Sequence, residues 1–287
     1  MTSLSPGHSF RSSSAGVLAS RIEMFVARAL SPTILVLAYV FLFAPLVVLI
    51  AYSFNAGRST VVWSGFSFKW YEAVFADRNL GRAFWVSVMV AVVSASASTI
   101  VGTLAALALG RRRFLGAAFF STLLTAPLVL PEIVMAVGLL VFMVATGLGL
   151  GYGSMIAGHI LVTIPFTTLI VRAATAALDH RLDEAAADLG ANDWQVFTRV
   201  TMPLLAPSIM TAFLLAATLS FDNFVMSTFT AGVGTTPLPI HIYSMLKLGI
   251  TPQINALGTL MVAFNVAIIL VVMTRYLALT FNKKPDH

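Results

Sequence analysis

Cysteine is absent from this chain of 287 residues, which excludes disulfides and thiolate metal sites. Charge is also scarce: 10% of the residues are charged, whereas a soluble domain has about a quarter. Hydrophobic residues make up 59% of the chain, and its mean hydropathy is +0.93. A chain this poor in charge cannot cover a water-facing surface with polar groups. The composition therefore predicts a protein whose solvent is lipid.

Motifs for nucleotide, hydrolytic and metal chemistry are missing as well. No Gly-x-x-x-x-Gly-Lys-Ser/Thr occurs, nor any Gly-Lys pair, so the chain cannot hold ATP phosphates by that device. There is no Gly-x-Ser-x-Gly and no His-Glu-x-x-His, and the five histidines show no paired metal spacing. The glycine-rich segment 147–158 follows no strand, and we interpret it as a tight turn with close helix packing. We predict no catalytic residue and no metal site.

Long apolar runs predict an all-α fold with six membrane-spanning helices, since a bilayer core about 30 Å thick needs roughly 20 apolar residues. The first twenty residues contain no long apolar core, and residues 1–30 are predicted to be a polar tail, with a second short tail at 283–287. Residues 31–282 are predicted to form the membrane domain. The six predicted spans are Pro32–Tyr52, Ala83–Leu109, Leu115–Ala145, Met155–Ala177, Leu204–Phe229 and Leu257–Leu279.

The placement of lysine and arginine orients these spans, because cytoplasmic segments carry an excess of both. With both termini in the cytoplasm, twelve basic residues fall inside and five outside. The cluster Arg111, Arg112 and Arg113, between spans two and three, is the clearest single indication. The net charge of +6 then mostly reflects orientation, and no nucleic-acid partner is needed to explain it.

The segment 183–203, between spans four and five, is unusually polar for this chain and falls on the cytoplasmic side. Acids and alanines at its start favour a short helix, which Gly190 is expected to end. Asn192 with Gln195 three residues later is a capping-box pattern and predicts a second helix. Pro203 is expected in the first turn of span five, where proline costs little. The segment therefore predicts a helical hairpin outside the membrane.

The spacing in this hairpin resembles the EAA motif of permease subunits of binding-protein-dependent ABC importers. Glu184, Ala185 and Ala186 are followed by Gly190 and then by a segment ending in Pro203, with Val200 and Met202 in place of the family's aliphatic residues. The segments "APLVVLIAYSFN", "SFDNFVMSTFTAG" and "LPIHIYSMLKLGITPQINALGT" are similar to spermidine/putrescine-type permeases. The resemblance covers nearly all of the chain from span one to span six.

This resemblance implies a type I ABC importer permease fold and a set of partners. The hairpin would be a coupling helix docked on a cytoplasmic ATPase present in two copies, with ATP and Mg held by that ATPase and no cofactor held by this chain. A second homologous permease would complete a heterodimer in the bilayer, and a periplasmic or extracellular binding protein would deliver the cargo. The implied location is the bacterial inner (plasma) membrane.

Two acids fall inside predicted spans, where a charge is costly and usually faces a cavity or a partner. Glu132 lies in span three close to two prolines, and Asp222 lies in span five beside Asn223. We interpret Glu132, Asp222 and Asn223 as candidates for an electronegative translocation path that suits a cation. The alternative is that these acids tie helices together or lie near a wet interface. Of the other polar groups, His159 is expected to bond between helices, and Tyr243 to lie in an outer segment.

Several functions stay open from the sequence alone. A polyamine is the favoured cargo, and an opine, a ferric ion or another small solute would fit the same machine. A secondary transporter driven by an ion gradient, with Glu132 and Asp222 as ion relays, is a different class of function. A structural scaffold is the third, and acids buried at a cost in stability argue against it.

Overall fold

The computed structural model describes residues 14–59, 62–111, 115–179, 181–249 and 251–281, which form twelve α-helices. The predicted tail 283–287 lies outside these residues, as do Arg112 and Arg113 of the basic cluster. The helices are α1 Ser14–Ser53, α2 Lys69–Ala76, α3 Arg78–Arg111, α4 Ala117–Thr125, α5 Glu132–Ala145, α6 Tyr152–Ala177, α7 Arg181–Asp188, α8 Asp193–Val196, α9 Met202–Phe221, α10 Val225–Thr230, α11 Leu238–Leu248 and α12 Pro252–Phe281.

Four helices of the described chain are long and apolar enough to cross a bilayer. They are Pro32–Ser53, Arg78–Gly110, Tyr152–Ala177 and Asp193–Phe221, matching the first, second, fourth and fifth predicted spans. The bent pair α4 and α5 makes a fifth if it counts as one span. The sixth predicted span falls within α12, which packs along α1. The all-α prediction is confirmed for the described residues, and the count of six stays a prediction.

The predicted third span is not one helix, which corrects the sequence interpretation. After α4 the chain tightens into a 3₁₀ turn, Ala126–Leu128, and α5 then leaves at an angle of 104°. Pro131 is the N-cap of α5, with a ψ of 131° that no α-helix continues through. Glu132 becomes the first residue of α5, where a carboxylate interacts favourably with the helix dipole.

The predicted fifth span differs from the structure at both ends. It begins inside the hairpin, because α8, a π-helical turn Phe197–Thr201 and α9 form one continuous helix. It ends at Phe221, and the chain restarts as α10 at Val225. Helix α1 also starts early, at Ser14, so the predicted tail 1–30 is helical from that residue onward.

The centre of the fold is formed by α3, α6 and α9, which pack against one another. Small side chains allow the close approach of α3 and α6, as is common for helices in membranes. A Cβ atom built on Gly102 would lie 2.2 Å from Thr167 Oγ1 and 2.9 Å from the backbone nitrogen of Thr168. Ser98 and Thr163 share a hydrogen bond of 2.6 Å between their hydroxyls across the same interface. The two helices therefore contact each other through backbone and short polar side chains.

Candidate functional site

The hairpin of residues 181–203 has the corner that its sequence predicts. Helix α7 ends in bonds from the amides of Gly190 and Ala191 to the carbonyls of Ala187 and Ala186. Gly190 has a φ of +85°, a conformation that strains other residues. Asn192 accepts from the amide of Gln195 at 2.9 Å and donates its own amide to the Gln195 side chain at 3.0 Å. The predicted capping box is thus confirmed.

Many side chains of this hairpin are exposed at the surface of the protein. Glu184, Ala185 and Gly190 are exposed, and Ala186 is half-buried. Two large apolar side chains are exposed beside them, Leu189 at 89% and Trp194 at 70%. Trp194 contacts the ring of Phe197, but most of its surface and that of Leu189 remains exposed, so the hairpin presents apolar area at its surface.

The hairpin is joined to the membrane core by one unbroken helix. Proline at position 203 has no amide hydrogen for the carbonyl of Arg199, and its ring would clash with that carbonyl in an α-helical turn. The wide π turn Phe197–Thr201 lies just before it, and the amide of Met202 bonds the carbonyl of Phe197. Helix α9 then runs for 20 residues, roughly 30 Å, to Phe221. The element that starts in the hairpin therefore ends next to Asp222.

A side-chain hydrogen bond joins the breaks in spans three and five. Asn223 Nδ2 donates to Glu132 Oε1 at 2.6 Å, which joins the gap after α9 to the first turn of α5. Asn223 Oδ1 accepts from the amide of Met226 at 2.9 Å and so satisfies an amide in the first turn of α10. The structure thus brings the predicted Glu132 and Asn223 together, and Glu132 has a partner that ties helices.

Asp222 is the C-cap residue of α9, is exposed, and lines an open pocket of about 270 Å³. The walls come from the segment after α9, from α11 and from α12: Phe224, Pro239, Ile242, Tyr243, Leu246 and Met261. The rings of Phe224 and Tyr243 lie 5.0 Å apart between centroids. Among the described residues that line the pocket, Asp222 is the one with a charged side chain. Aromatic faces and a carboxylate together bind organic cations.

Ser220 and Ser227, two further polar residues of predicted span five, are buried and are not among the residues that line this pocket. His159 on α6 is 2% exposed, and its Nδ1 lies 2.6 Å from Ser220 Oγ while its Nε2 lies 3.0 Å from Ser227 Oγ. Ser220 belongs to α9 and Ser227 to α10, so one imidazole bridges the break between them. The predicted role of His159 as a bond between helices is confirmed.

A second buried contact fixes the C-terminal end of α10. The carbonyl of Thr230 accepts from Ser154 Oγ at 2.8 Å and from the amide of Gly151 at 3.2 Å. A Cβ on Gly232 would lie 2.1 Å from the carbonyl oxygen of Leu150. The glycine-rich segment 147–158 is therefore a turn with close packing, as predicted.

Sequence reasoning missed the pocket walls, and it predicted His159 as a bond between helices without its partners Ser220 and Ser227. Phe224, Ile242 and Leu246 look like ordinary apolar residues of a membrane protein, and only the fold places them around Asp222. Tyr243 carried a usable signal, because an aromatic residue in an outer segment is a candidate cation contact.

Residues 98–282 match a family described as "Binding-protein-dependent transport system inner membrane component". The chain is 38% identical over 231 residues to the spermidine/putrescine transport system permease protein PotC of Haemophilus influenzae, covering 80% of this chain and 90% of the relative. It is 36% identical over 234 residues to the putrescine transport system permease protein PotI of Escherichia coli, covering 79% and 83%.

Among solved structures, the chain resembles one in a bacterial alginate ABC transporter in complex with an alginate pentasaccharide-bound periplasmic protein. The TM-score is 0.66 at 19% identity, covering 92% of this chain and 97% of the other. This likeness establishes the fold. The chain therefore belongs to the family of binding-protein-dependent transport system inner membrane components, as a multi-pass membrane protein with the fold of type I ABC importer permeases.

Proposed function

We propose that this chain is the permease subunit of an ATP-driven importer whose cargo is a polyamine such as spermidine or putrescine. The relatives named as spermidine/putrescine permeases cover most of its length. The observation that carries the cargo class is the pocket in which Asp222 stands among aromatic and aliphatic walls. A flexible chain of ammonium groups and methylenes is complementary to such a pocket, because its charges pair with carboxylate and aromatic faces and its methylenes contact apolar ones.

The same proposal assigns the exposed hairpin to an ATPase. Glu184, Ala185, Ala186 and Gly190 would form the docking surface, with Leu189 and Trp194 adding apolar area. The chain is a permease and not an enzyme, so ATP and Mg would be held by two copies of the ATPase. A second homologous permease would complete a heterodimer in the bacterial inner membrane, with a binding protein outside.

Movement of the hairpin would reach Asp222 through the continuous helix Asp193–Phe221. A helix transmits a displacement along its axis with little compression. Asn223 would then transfer the shift to α5 through Glu132, because their contact joins the two breaks. His159 would limit how far α9 and α10 separate. Alternating access would follow as a rearrangement at the two breaks.

Reconstituted transport tests the cargo. The complex of both permeases and the ATPase is placed in liposomes with its binding protein, and ATPase activity is measured with spermidine, putrescine, an opine or ferric ion. We expect stimulation by the polyamines. The Asp222→Asn variant should lose at least about tenfold in polyamine uptake, the equivalent of about 1.4 kcal/mol. Glu72→Gln changes an exposed acid of α2 outside the pocket and should leave uptake unchanged.

Two outcomes would contradict the cargo proposal. If an opine or ferric ion stimulates the ATPase activity and polyamines do not, the chain is still an importer permease, but its cargo is not a polyamine. Uptake that follows an ion gradient without ATP would overturn the importer itself and make Glu132 and Asp222 candidates for ion relays.

A matched pair of glycines tests the docking surface. Gly190 and Gly116 both have positive φ, +85° and +95°, and both have open space where a Cβ would lie. Tryptophan at either site causes similar backbone strain, and only position 190 lies in the hairpin. We expect Gly190→Trp to lose the ATPase in a pull-down from native membranes, and Gly116→Trp to retain it. If both variants retain the ATPase equally, the docking surface does not include Gly190.

A further inference from the structure

Tyr243, which lines the pocket beside Asp222, is already in contact with a cation that the protein itself supplies. Lys247 lies one helical turn after Tyr243 on α11, and its Nζ stands 4.8 Å from the centroid of the Tyr243 ring. That ring is part of the pocket wall and packs on Phe224. An ammonium therefore rests on the aromatic wall where an ammonium of the cargo is expected to bind.

The chain contains a second lysine with the same geometry and a different setting. Lys69 Nζ lies 4.8 Å from the Trp70 ring, and it also donates to the carbonyl of Ala56. Trp70 Nε1 donates to the carbonyl of Asn55 at 2.8 Å, in the loop after α1. Lys69 is thus part of the structure of this loop, whereas Lys247 is exposed on a ring that borders a pocket.

We propose that Lys247 is a tethered competitor of the cargo, and this inference rests on the proposed function. Its ammonium covers the Tyr243 ring when the pocket is empty. A cationic cargo takes its place on the ring, and Lys247 swings into solvent on its flexible stem. The lysine thereby sets a minimum affinity: a solute whose cation binds no better than the tethered one gains nothing at this wall.

Competition has a defined sign. Removing the tethered ammonium frees the ring, so Lys247→Gln should tighten cargo binding. A cation on an exposed aromatic ring contributes little, and the expected gain is about two- to fivefold in the dissociation constant. Lys247→Arg keeps a cation on the ring and should bind cargo as the wild type does. Lys69→Gln removes the other ring-bound ammonium, away from the pocket, and should also leave binding unchanged.

The test uses the purified complex of permeases and ATPase in lipid nanodiscs, without binding protein. Radiolabelled spermidine is the probe, and its dissociation constant is measured by scintillation proximity for each variant. A double-mutant cycle adds the ring: in a Tyr243→Leu background, Lys247→Gln should have no further effect, because the shared wall is gone. Monodisperse elution of every variant establishes that each one folds.

The possible outcomes distinguish failure of the tethered-competitor proposal from failure of the proposed polyamine import. Tightening by Lys247→Gln that disappears in the Tyr243→Leu background supports the competitor. Tightening of equal size in Lys69→Gln, or in the Tyr243→Leu background, overturns it in favour of a general charge effect. No change in Lys247→Gln, or no measurable binding by any variant while polyamine uptake persists, also overturns it and leaves the importer intact. Absence of both binding and uptake of polyamines overturns both.

Discussion

The hairpin 181–203 and the His159 bridge are both polar regions of an apolar chain, and they use polarity in opposite ways. In the hairpin, Glu184 is exposed together with the large apolar side chains of Leu189 and Trp194, at 89% and 70%. At the bridge, His159, Ser220 and Ser227 are buried and bonded to one another. The hairpin therefore has a surface available to a partner protein, whereas the polar groups of the bridge are already paired within the chain.

The same contrast between paired and unpaired polar groups distinguishes the two acids of the predicted spans, Glu132 and Asp222. Glu132 belongs with the bridge, because its carboxylate is bonded to Asn223 within the chain. Asp222 belongs with the hairpin, because its side chain borders an open pocket. Polarity inside a membrane domain thus indicates function when it lacks an internal partner, and architecture when it has one.

The largest expected effect comes from disrupting the buried packing between α3 and α6. Gly102→Val on α3 would drive a side chain into Thr167 and the backbone of Thr168, so we expect a loss of about 3 kcal/mol or more and failure to purify in monodisperse form. Gly81 lies on the same helix, exposed and with open space around it, and Gly81→Ala should leave elution and melting unchanged. Normal folding of Gly102→Val would show that α3 and α6 do not approach as closely as described.

A middle-sized effect removes the bridge. His159→Leu leaves two buried hydroxyls without their ring partner, and we expect a loss of about 1–2 kcal/mol in thermal stability in detergent. His241 on α11 is half-buried outside the bridge, and His241→Leu serves as the control. If both variants melt together with the wild type, the two hydrogen bonds do not contribute to holding α9 and α10.

The smallest expected effect concerns the exposed hairpin and the local stability of α8. Asn192→Ala removes the cap of α8 and should cost about 1 kcal/mol locally, with little change in the melting of the whole protein. Hydrogen exchange of the amides in residues 193–196 is the measurement, and faster exchange confined to that segment is expected. Faster exchange throughout α9 as well would mean that the cap stabilises the whole continuous helix.

The sequence predicted those parts of the fold that depend on neighbouring residues. The corner at Gly190 and the capping box at Asn192 follow from residues within four positions, and both were predicted correctly. Pro131 is also a local signal, because proline interrupts a helix, but it does not specify a turn of 104°. The break after Phe221 carries no glycine or proline signal. It is held by Asn223, whose partner Glu132 lies 91 residues away.

The same reasoning explains the candidate site. Glu132, Asp222 and Asn223 stood out because charge and amides are rare in spans, and composition is visible in a sequence. Which acid has a partner depends on how α5 and α10 meet, and the bridge joins residues 61 and 68 positions apart. Contacts at that separation are decided by helix packing, which local patterns do not encode.

The π turn Phe197–Thr201 has a consequence for rotational phase along the helix it interrupts. A π turn takes up one residue more than an α turn, so the faces of α8 and α9 line up only after one residue between them is discounted. Each α-helical residue turns the helix by about 100°. Removing one residue from the π turn would therefore leave Asp222 and the hairpin on their present faces. Removing one anywhere between Leu204 and Phe221 would rotate them apart by about that angle.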